Sequence, residues 1–451
     1  MSAPSLVWLR DDLRIADNPA LSTAAERGPV VVLYVLDEAS PGIRPLGGAS
    51  RWWLHGSLEA LGGELAGRGV ALVLRRGEAG AIVPEVAAAI GAKAVFWNRR
   101  YGGAEREVDT AVKAELRERG LDVASFAASL LFEPWTVQTG SGTSFSVFTP
   151  FWNACRALPE PRHPLPEPEL TGAPAVPGDA LENWELRPAR PDWAGGLREL
   201  WIPGERGGRE QLRAFLTDDL GDYAAGRDTL ADRVTSRLSP HLRWGEVSPY
   251  QAWHAVAASG ADGDSVSRFL SELGWREFAA HVLYHFPDLA TRNWRRQFDA
   301  FPWRPADETA LRAWQQGRTG IPVVDAGMHE LWTTGTMHNR VRMITASFLT
   351  KNLLLDWRLG EQWFWDTLVD ADGASNPFNW QWVAGSGADA APYFRIFNPE
   401  VQAKKFDPDG AYVKRWAPEH LSGEAPDPIV DLAASRKAAL AAYEVVRRAG
   451  A

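Results

Sequence analysis

The chain has 451 residues, about three times the size of an ordinary domain, which excludes a single small module and favours two domains. Hydrophobic residues make up 45% and charged residues 23% of the sequence, a globular composition that excludes disordered and fibrous proteins. The only cysteine, Cys155, excludes an internal disulfide, a Cys-ligated zinc site and a Cys-ligated iron–sulfur cluster. The net charge of −9 requires any nucleic-acid binding to rest on a local basic patch.

Localisation and metal content are predicted mainly from what the sequence lacks. Neither end has the pattern of a signal peptide, and no apolar run approaches the roughly 18 residues of a membrane span. We therefore expect a cytoplasmic protein, and we expect it to be a monomer. We expect no metal, because Glu277, His281 and His285 share a helical face without a further ligand, and the segment from Asp370 to Asp372 fails the later positions of a calcium loop.

The first 130 residues alternate short apolar runs with helical stretches, which predicts an α/β domain. The continuous apolar run at residues 30–36 is typical of a parallel strand that is buried on both faces. No dinucleotide or phosphate-loop glycine pattern follows these strands, so ordinary nucleotide binding is not indicated. The prediction for residues 1–130 is a doubly wound parallel sheet with strands at 6–9, 30–36, 71–74, 94–97 and 123–126.

A proline-rich stretch at residues 157–192 predicts an extended connector, which we place within an interdomain linker at 131–200. From about Arg209 onward the apolar residues recur at helical spacing, and no strand-like alternation is found. Residues 201–451 are therefore predicted to form an all-α domain. Its last helix would present an apolar stripe of Leu432, Leu440, Tyr443 and Val446.

Residues 235–240 have the sequence Thr-Ser-Arg-Leu-Ser-Pro, in which Ser239 is predicted to be the N-cap of a helix with Pro240 at its first position. A phosphate would find hydroxyl donors, Arg237 and a helix N-terminus here, although an ordinary cap is the more common explanation. Residues 291–351, ending with Lys351 in that count, hold nine Lys or Arg against five acidic residues. This surplus could contact phosphates or form a solvated helix face.

Tryptophan is unusually frequent, with 22 residues against 8 tyrosines, and more than half of them lie between positions 244 and 382. Core packing is the usual role of any single tryptophan. Indoles also stack on bases and on flat cofactors, and a spaced row of them can pass single electrons. The cluster that includes Trp275, Trp303, Trp357, Trp380 and Trp382 therefore indicates a flat redox ligand.

Four segments together resemble the photolyase/cryptochrome family over nearly the whole chain. Residues 8–21 resemble the opening strand and turn of that family, residues 235–240 its FAD-phosphate segment, and residues 339–343 and 370–382 its flavin pocket. The resemblance implies an α/β antenna-binding domain and an all-α domain that binds FAD and DNA. It also implies light-driven splitting of cyclobutane pyrimidine dimers in damaged DNA, the activity of a deoxyribodipyrimidine photo-lyase.

The resemblance implies a noncovalent, U-shaped FAD. Arg342 would pair with Asp370 beneath the isoalloxazine ring, Asp372 would meet the polar edge of the ring, and Asn376 would stand opposite N5. A neutral amide at the last position is the photolyase pattern, whereas plant or insect cryptochromes have an acid or a cysteine there. The residues expected around the cofactor are Tyr223, Thr235, Ser236, Arg237, Leu238, Ser239, Arg276, Asn339, Arg342, Met343, Asp370, Asp372 and Asn376.

The resemblance also implies a site for a flipped-out dimer. Trp275 and Trp382 would cover the bases, and Glu272, partly protonated in a desolvated pocket, would hydrogen-bond their carbonyl groups. Met343 would adjoin them, and Arg340 with the basic stretch would hold phosphates. The residues expected to act in catalysis are Glu272, Asn339, Asn376 and an electron relay of Trp380, Trp357 and Trp303, the last in a Phe-Pro-Trp context typical of plant-cryptochrome-like photolyases.

Three other functions remain open. Repair of the (6-4) photoproduct is marked in related enzymes by two adjacent histidines, where this chain has His338 and Asn339. Signalling cryptochromes commonly carry a long disordered tail, whereas only about 35 residues follow Trp416. A tryptophan-rich binder of single strands is disfavoured by the net charge.

The resemblance implies a second chromophore, an antenna, on the α/β domain. Residues 98–105 resemble a folate-contact segment, with Glu105 retained and Ala104 in place of an expected asparagine. A folate such as methenyltetrahydrofolate (MTHF) is therefore expected, with a deazaflavin or a flavin as alternatives.

Overall fold

The structure, a computed structural model, describes residues 3–232, 234–390 and 394–450. The N-terminal part is a five-stranded parallel sheet in the order β3-β2-β1-β4-β5, which confirms the predicted doubly wound α/β domain. Each strand lies within two residues of its predicted position. The elements are β1 Ser5–Leu9, α1 Pro19–Arg27, β2 Val30–Leu36, α2 Gly48–Ala66, β3 Leu72–Arg76, α3 Ala79–Ala89, β4 Ala94–Asn98, α4 Gly103–Glu118 and β5 Asp122–Phe126.

The sheet is covered on both faces, as its apolar strands require. All seven residues of β2 are buried. Val7 of β1 lies between Val32 of β2 and Phe96 of β4, so the central strands share one register. Helices α1 and α2 complete the core on one face, and α3 and α4 complete the core on the other.

The connector that follows the sheet is largely without regular structure, as the prolines predicted. It crosses back to the sheet, where Gly172 forms an isolated bridge with Val30. A Cβ atom on Gly172 would lie 1.8 Å from the carbonyl oxygen of Gly69, so only glycine fits there. Its helices are α5 Phe148–Arg156, a 3-10 turn at Leu181–Trp184 and α6 Gly195–Leu200.

The rest of the described chain is helical, which confirms the predicted all-α domain. Its longest helix is α11, which begins after the N-cap Asp262 and runs through the middle of the domain. Within the described residues, none of the helices has the length and apolar character that a bilayer crossing needs. The α-helices are α7 Glu205–Ala214, α8 Tyr223–Gly226, α9 Ser239–Arg243, α10 Pro249–Ala257, α11 Gly263–His285, α12 Glu308–Gln315, α13 Pro322–Thr334, α14 Asn339–Ser347, α15 Trp357–Thr367, α16 Ser375–Ala384, α17 Pro399–Phe406, α18 Ala411–Trp416, α19 Glu419–Ser422 and α20 Leu432–Ala449.

Two local predictions about these helices are wrong. Ser239 is the first residue of α9 and not its N-cap, because Leu238 already has a helical backbone conformation and takes the cap position without a side-chain bond. In α20, Leu440 is 38% exposed, because the face that packs inward is made by the small Ala439 and Ala442 together with Val446.

Buried carboxylates join the two domains. Glu246, which is fully buried, accepts hydrogen bonds from the indole of Trp53 at 3.0 Å and the backbone N–H of Gly204 at 2.7 Å. The hydroxyl of Ser57 and the imidazole of His241 contact the same carboxylate. One side chain thus satisfies donors from both the α/β domain and the helical domain.

Replacement of Glu246 by leucine should lower the free energy of unfolding by about 3–5 kcal/mol, because several buried donors lose their acceptor. Chemical denaturation of the purified protein measures this loss. The control is Glu210→Leu, since Glu210 lies on an exposed helix face and makes only a long contact of 3.9 Å with Arg206. A loss below about 1 kcal/mol in the Glu246 variant would show that the carboxylate does not join the domains as described.

Candidate functional site

A cavity of about 450 Å³ opens in the helical domain between α8, α9, α11, α14 and α16. This volume is within the range of small-molecule and cofactor sites. Six arginines and four carboxylates line it, so the local charge is positive although the chain is acidic. The charged lining residues are Arg227, Asp228, Arg243, Arg268, Glu272, Arg276, Arg340, Arg342, Asp370 and Asp372.

Most of the site residues expected from the sequence line this one cavity. Leu238 is buried in the adjoining core with Tyr223, and Thr235 and Arg237 flank the lining residue Ser236 without forming part of the wall. The expected residues in the wall are Tyr223, Ser236, Ser239, Glu272, Trp275, Arg276, Asn339, Arg340, Arg342, Met343, Asp370, Asp372, Asn376, Trp380 and Trp382.

Arg342 and Asp370 form the ion pair that was expected in the cavity. The guanidinium Nη1 lies 3.2 Å from Oδ1 and Nη2 lies 3.0 Å from Oδ2 of the carboxylate, a two-point contact. Nε also donates to the carbonyl oxygen of Met337 at 2.8 Å. The arginine is thereby fixed from two sides and presents a defined positive charge to the cavity.

Asp372 and Arg243 shape the wall at the start of α16. The carboxylate of Asp372 accepts from the backbone N–H groups of Ala374 at 2.7 Å and Ser375 at 2.6 Å, which holds the turn that leads into the helix. Arg243, which was not among the residues predicted from the sequence, donates to the carbonyl oxygen of Ala371 at 2.8 Å and pairs with Asp11 of the α/β domain at 2.7 Å.

The amide of Asn376 is held by a carboxylate behind it. Its Nδ2 donates to Oε1 of Glu361 at 2.8 Å and to the backbone oxygen of Glu361 at 3.1 Å. Glu361 in turn pairs with Arg44 of the α/β domain through contacts of 2.7 and 2.9 Å. Neither Glu361 nor Arg44 stands out in the sequence, because their contacts join segments that are more than 300 residues apart.

Glu272 is held by Arg227, a residue that follows α8. The sequence led us to expect a partly protonated acid at this position, whereas the structure gives the carboxylate an arginine partner. Nearby, Arg340 pairs with Asp228 at 2.9 Å. Two ion pairs from the same short segment therefore lie at one end of the cavity, next to the two predicted substrate residues.

Both predicted base-stacking tryptophans are supported from behind. The ring of Phe148, in α5 of the connector, stacks on Trp275 with 3.8 Å between centroids and 10° between planes. Trp382 is contacted by the guanidinium of Arg395, 4.7 Å above its ring, and by Phe397. Both tryptophans also line the cavity.

The three tryptophans of the expected relay belong to one aromatic core. Trp380 lines the cavity, Trp357 is fully buried and donates to Asn293 at 3.0 Å, and Trp303 is half-buried at the edge of the cluster. A Cβ atom on Gly360 would lie 2.1 Å from the Trp380 ring, so a glycine in α15 is needed for the indole to pack there.

Lys351 cannot contact phosphates, contrary to its inclusion in the predicted basic stretch. It is fully buried, its Nζ donates to the carbonyl oxygen of Ala384, and it lies 3.6 Å above the ring of Phe394. Burial without a carboxylate keeps the pKa of this ammonium well below its usual value. Periodicity and charge cannot reveal such burial, since lysines are rarely enclosed.

The helical face with Glu277 and His281 has a structural role. Glu277 accepts from the backbone N–H groups of Leu131 and Phe132, and His281 accepts from that of Phe145, so both groups anchor the connector. Among the residues that the structure describes, no group of three or more His, Cys, Asp or Glu is arranged to hold a metal ion.

Two buried N–H groups in the cavity wall have no hydrogen-bond partner among the described residues. They are the indole N–H of Trp380 and the Nε–H of Arg340. Buried donors are normally hydrogen-bonded, so these groups fit a ligand that carries acceptors. Aromatic walls, arginines and unused donors together suit a flat ligand with phosphates, and FAD has both properties.

Comparison with known proteins agrees with this geometry. Residues 269–445 match the family model described as the FAD binding domain of DNA photolyase, and residues 5–169 match that of DNA photolyase. The deoxyribodipyrimidine photo-lyase of Agrobacterium fabrum is 48% identical, with 99% of each chain covered.

A second relative is named as a cryptochrome. Cryptochrome-1 of Arabidopsis thaliana is 38% identical over 92% of this chain and 63% of its own length. The crystal structure of a bacterial class III photolyase from Agrobacterium tumefaciens superposes with a TM-score of 0.95 at 48% identity, covering 99% of this chain and 98% of the other. The chain therefore belongs to the photolyase/cryptochrome family.

Proposed function

We propose that this chain is a deoxyribodipyrimidine photo-lyase that uses light to split cyclobutane pyrimidine dimers in DNA. The observation that carries the proposal is the convergence of six side chains on one cavity. Three suit a flipped-out dimer and three suit a flavin: Glu272, Trp275, Trp382, Asn339, Met343 and Asn376. The identity to deoxyribodipyrimidine photo-lyases along the whole chain supports the same activity.

The cofactor of this site is FAD, which in its reduced, light-excited form supplies the electron that opens the dimer. Its phosphates would lie near Ser236 and Ser239, with Tyr223, Thr235, Arg237 and Leu238 around them and Arg276 on α11. Arg342, fixed by Asp370, would place positive charge beneath the ring system. Asn339 and Met343 of α14, Asn376 of α16 and Asp372 in the turn before α16 would meet the ring.

The dimer would enter beside Arg227 and Arg340. A damaged, poorly paired dinucleotide costs little to flip out of the helix, which favours it over intact bases. Trp275 and Trp382 would cover its apolar surfaces, and Glu272 would accept hydrogen bonds from the base N–H groups. Arg340, released from Asp228 or shared with it, would contact the DNA backbone.

Trp380, Trp357 and Trp303 would form the path along which electrons reach the flavin before repair. Trp380 lines the cavity, Trp357 is fully buried and Trp303 is half-buried, so the path would run from the cavity wall through the core toward the surface. This order is what a relay from the surface to an enclosed cofactor requires.

A role in (6-4) repair is disfavoured by the state of His338. Its Nδ1 accepts from the backbone N–H of Arg340 at 3.2 Å, and its Nε2 lies 3.0 Å from the carbonyl oxygen of Arg227, to which it donates. Burial lowers its pKa to about 4, so it is neutral at pH 7. Both nitrogens serve the backbone, and His338 is unsuited to act as an acid toward a lesion.

We also propose that the enzyme is cytoplasmic. We further propose that its α/β domain binds a folate antenna. The assignment is supported by Glu105, the acidic residue in the first turn of α4, whose carboxylate lies against Gly102 at the start of that helix. The neighbouring side chains serve the protein itself, because Arg99 pairs with Glu133 and Arg100 pairs with Asp109.

Glu272→Gln should lower the quantum yield of dimer repair about tenfold while FAD remains bound, because a charged acceptor is lost from the dimer site. Repair is measured as lesion loss under light, and FAD content by absorption. Glu308→Gln, an exposed acid on α12, is the control. Unchanged repair in the Glu272 variant would remove this residue from the mechanism.

Trp380→Phe should abolish photoreduction of oxidised FAD but spare repair by enzyme reduced chemically, because the relay acts only before repair. Flavin absorption under illumination reports the first property, and lesion loss the second. Trp135→Phe, at an exposed indole, serves as the control. Photoreduction at the original rate in the Trp380 variant would show that electrons take another path.

Chromophores released from the purified protein should include FAD and a reduced folate, as identified by mass spectrometry. Glu105→Ala should lower the folate content and leave FAD unchanged, because the two ligands occupy different domains. Release of a deazaflavin or a second flavin in place of folate would overturn the antenna assignment.

A further inference from the structure

We propose that Arg44, a residue of the α/β domain, is a positioning residue for the flavin site and sets the orientation of the Asn376 amide through Glu361. The proposal rests on the proposed function, because it takes Asn376 to face N5 of the flavin. It concerns a chain of three side chains that runs from one domain to the cofactor cavity of the other.

The first contact of the chain is a two-point ion pair across the domain boundary. Arg44 lies in the loop between β2 and α2, and its Nη1 and Nη2 contact Oε1 and Oε2 of Glu361 at 2.7 and 2.9 Å. The carboxylate is only 2% exposed, so Arg44 supplies its counter-charge in a poorly solvated place. The guanidinium is itself held 4.0 Å above the ring of Trp365.

The second contact fixes the direction of the amide. The Nδ2 group of Asn376 has two hydrogens, and they are directed to Oε1 and the backbone oxygen of Glu361. Both partners are acceptors, and an ionised carboxylate can only accept. The carbonyl oxygen Oδ1 is therefore the amide atom left for the cavity that Asn376 lines.

The direction of this amide matters for the protonation of a flavin. An acceptor opposite N5 stabilises the form in which N5 carries a proton, whereas an amide N–H group would stabilise the form without it. Arg44 thus influences which protonation state of flavin N5 the site stabilises, and it acts through Glu361 and Asn376. The residue does not touch the cavity and has no catalytic role of its own.

Loss of Arg44 would leave the Glu361 carboxylate buried without a counter-charge. The carboxylate would then take up a proton or turn toward solvent. A protonated acid can donate as well as accept, so the amide of Asn376 would be free to reverse. We therefore expect the preference for the N5-protonated flavin radical to weaken.

The test uses the FAD-bound protein under anaerobic photoreduction. The absorption spectrum gives the ratio of N5-protonated to unprotonated flavin radical. Arg44→Met should lower this ratio about tenfold, the effect of losing one hydrogen bond to a charged group. Arg44→Lys, which restores the charge but not the two-point contact, should recover part of it. Arg51→Met is the matched control, because Arg51 pairs with Glu38 within the α/β domain.

A double variant distinguishes an effect through the contact of Arg44 with Glu361 from a general loss of structure. Glu361→Gln should also lower the ratio, and adding Arg44→Met to it should change nothing further, since both act on the same contact. An unchanged ratio in Arg44→Met, or an equal further fall in the Glu361→Gln background, would overturn the proposal.

Asn376→Leu distinguishes the two ways of failing. If this variant leaves the ratio unchanged, Asn376 does not face N5, and both this part of the proposed function and the inference fail. If it lowers the ratio and Arg44→Met does not, only the inference about Arg44 fails.

Discussion

The pairing of arginines with carboxylates around one enclosed cavity is the constraint on which the site depends. A cluster of unpaired guanidinium groups inside a helical domain would be costly, because buried charges need partners. Arg342 has Asp370, Arg227 has Glu272 and Arg340 has Asp228. Because six arginines but only four carboxylates line the cavity, it keeps a positive excess for phosphates in a chain of net charge −9.

The α/β domain contributes to this cavity although it does not line it. Asp11 pairs with Arg243 in the cavity wall. Arg44 pairs with Glu361, which lies behind Asn376. Glu246 accepts hydrogen bonds from donors of both domains. The connector adds Phe148 behind Trp275. A change in the N-terminal domain can therefore disturb side chains that line the cavity in the helical domain.

The sequence predicted those features whose signals are local. Continuous apolar residues, as at 30–36, predict strands. Motifs within short segments predict the residues of the cavity wall. The residues that pack behind that wall were not predicted, because they are far apart in the sequence and contact each other only in the folded chain. Examples are Arg44 with Glu361 and Phe148 with Trp275. Lys351 was misjudged for the same reason, since its burial depends on packing against α16 and Phe394. In α20 the packed face is formed by Ala439, Ala442 and Val446 and not by Leu440, which the apolar spacing alone did not distinguish.

The central claim is that light splits cyclobutane pyrimidine dimers at this site. It is tested most directly by illuminating the purified, reduced protein with near-UV or blue light over DNA that carries cyclobutane dimers, and in parallel over (6-4) DNA, with dark controls. We predict that cyclobutane dimers disappear only in the light and that (6-4) lesions persist. Loss of (6-4) lesions alone would contradict the assigned substrate. Persistence of both lesions, with FAD bound and photoreducible, would contradict repair and favour a light receptor.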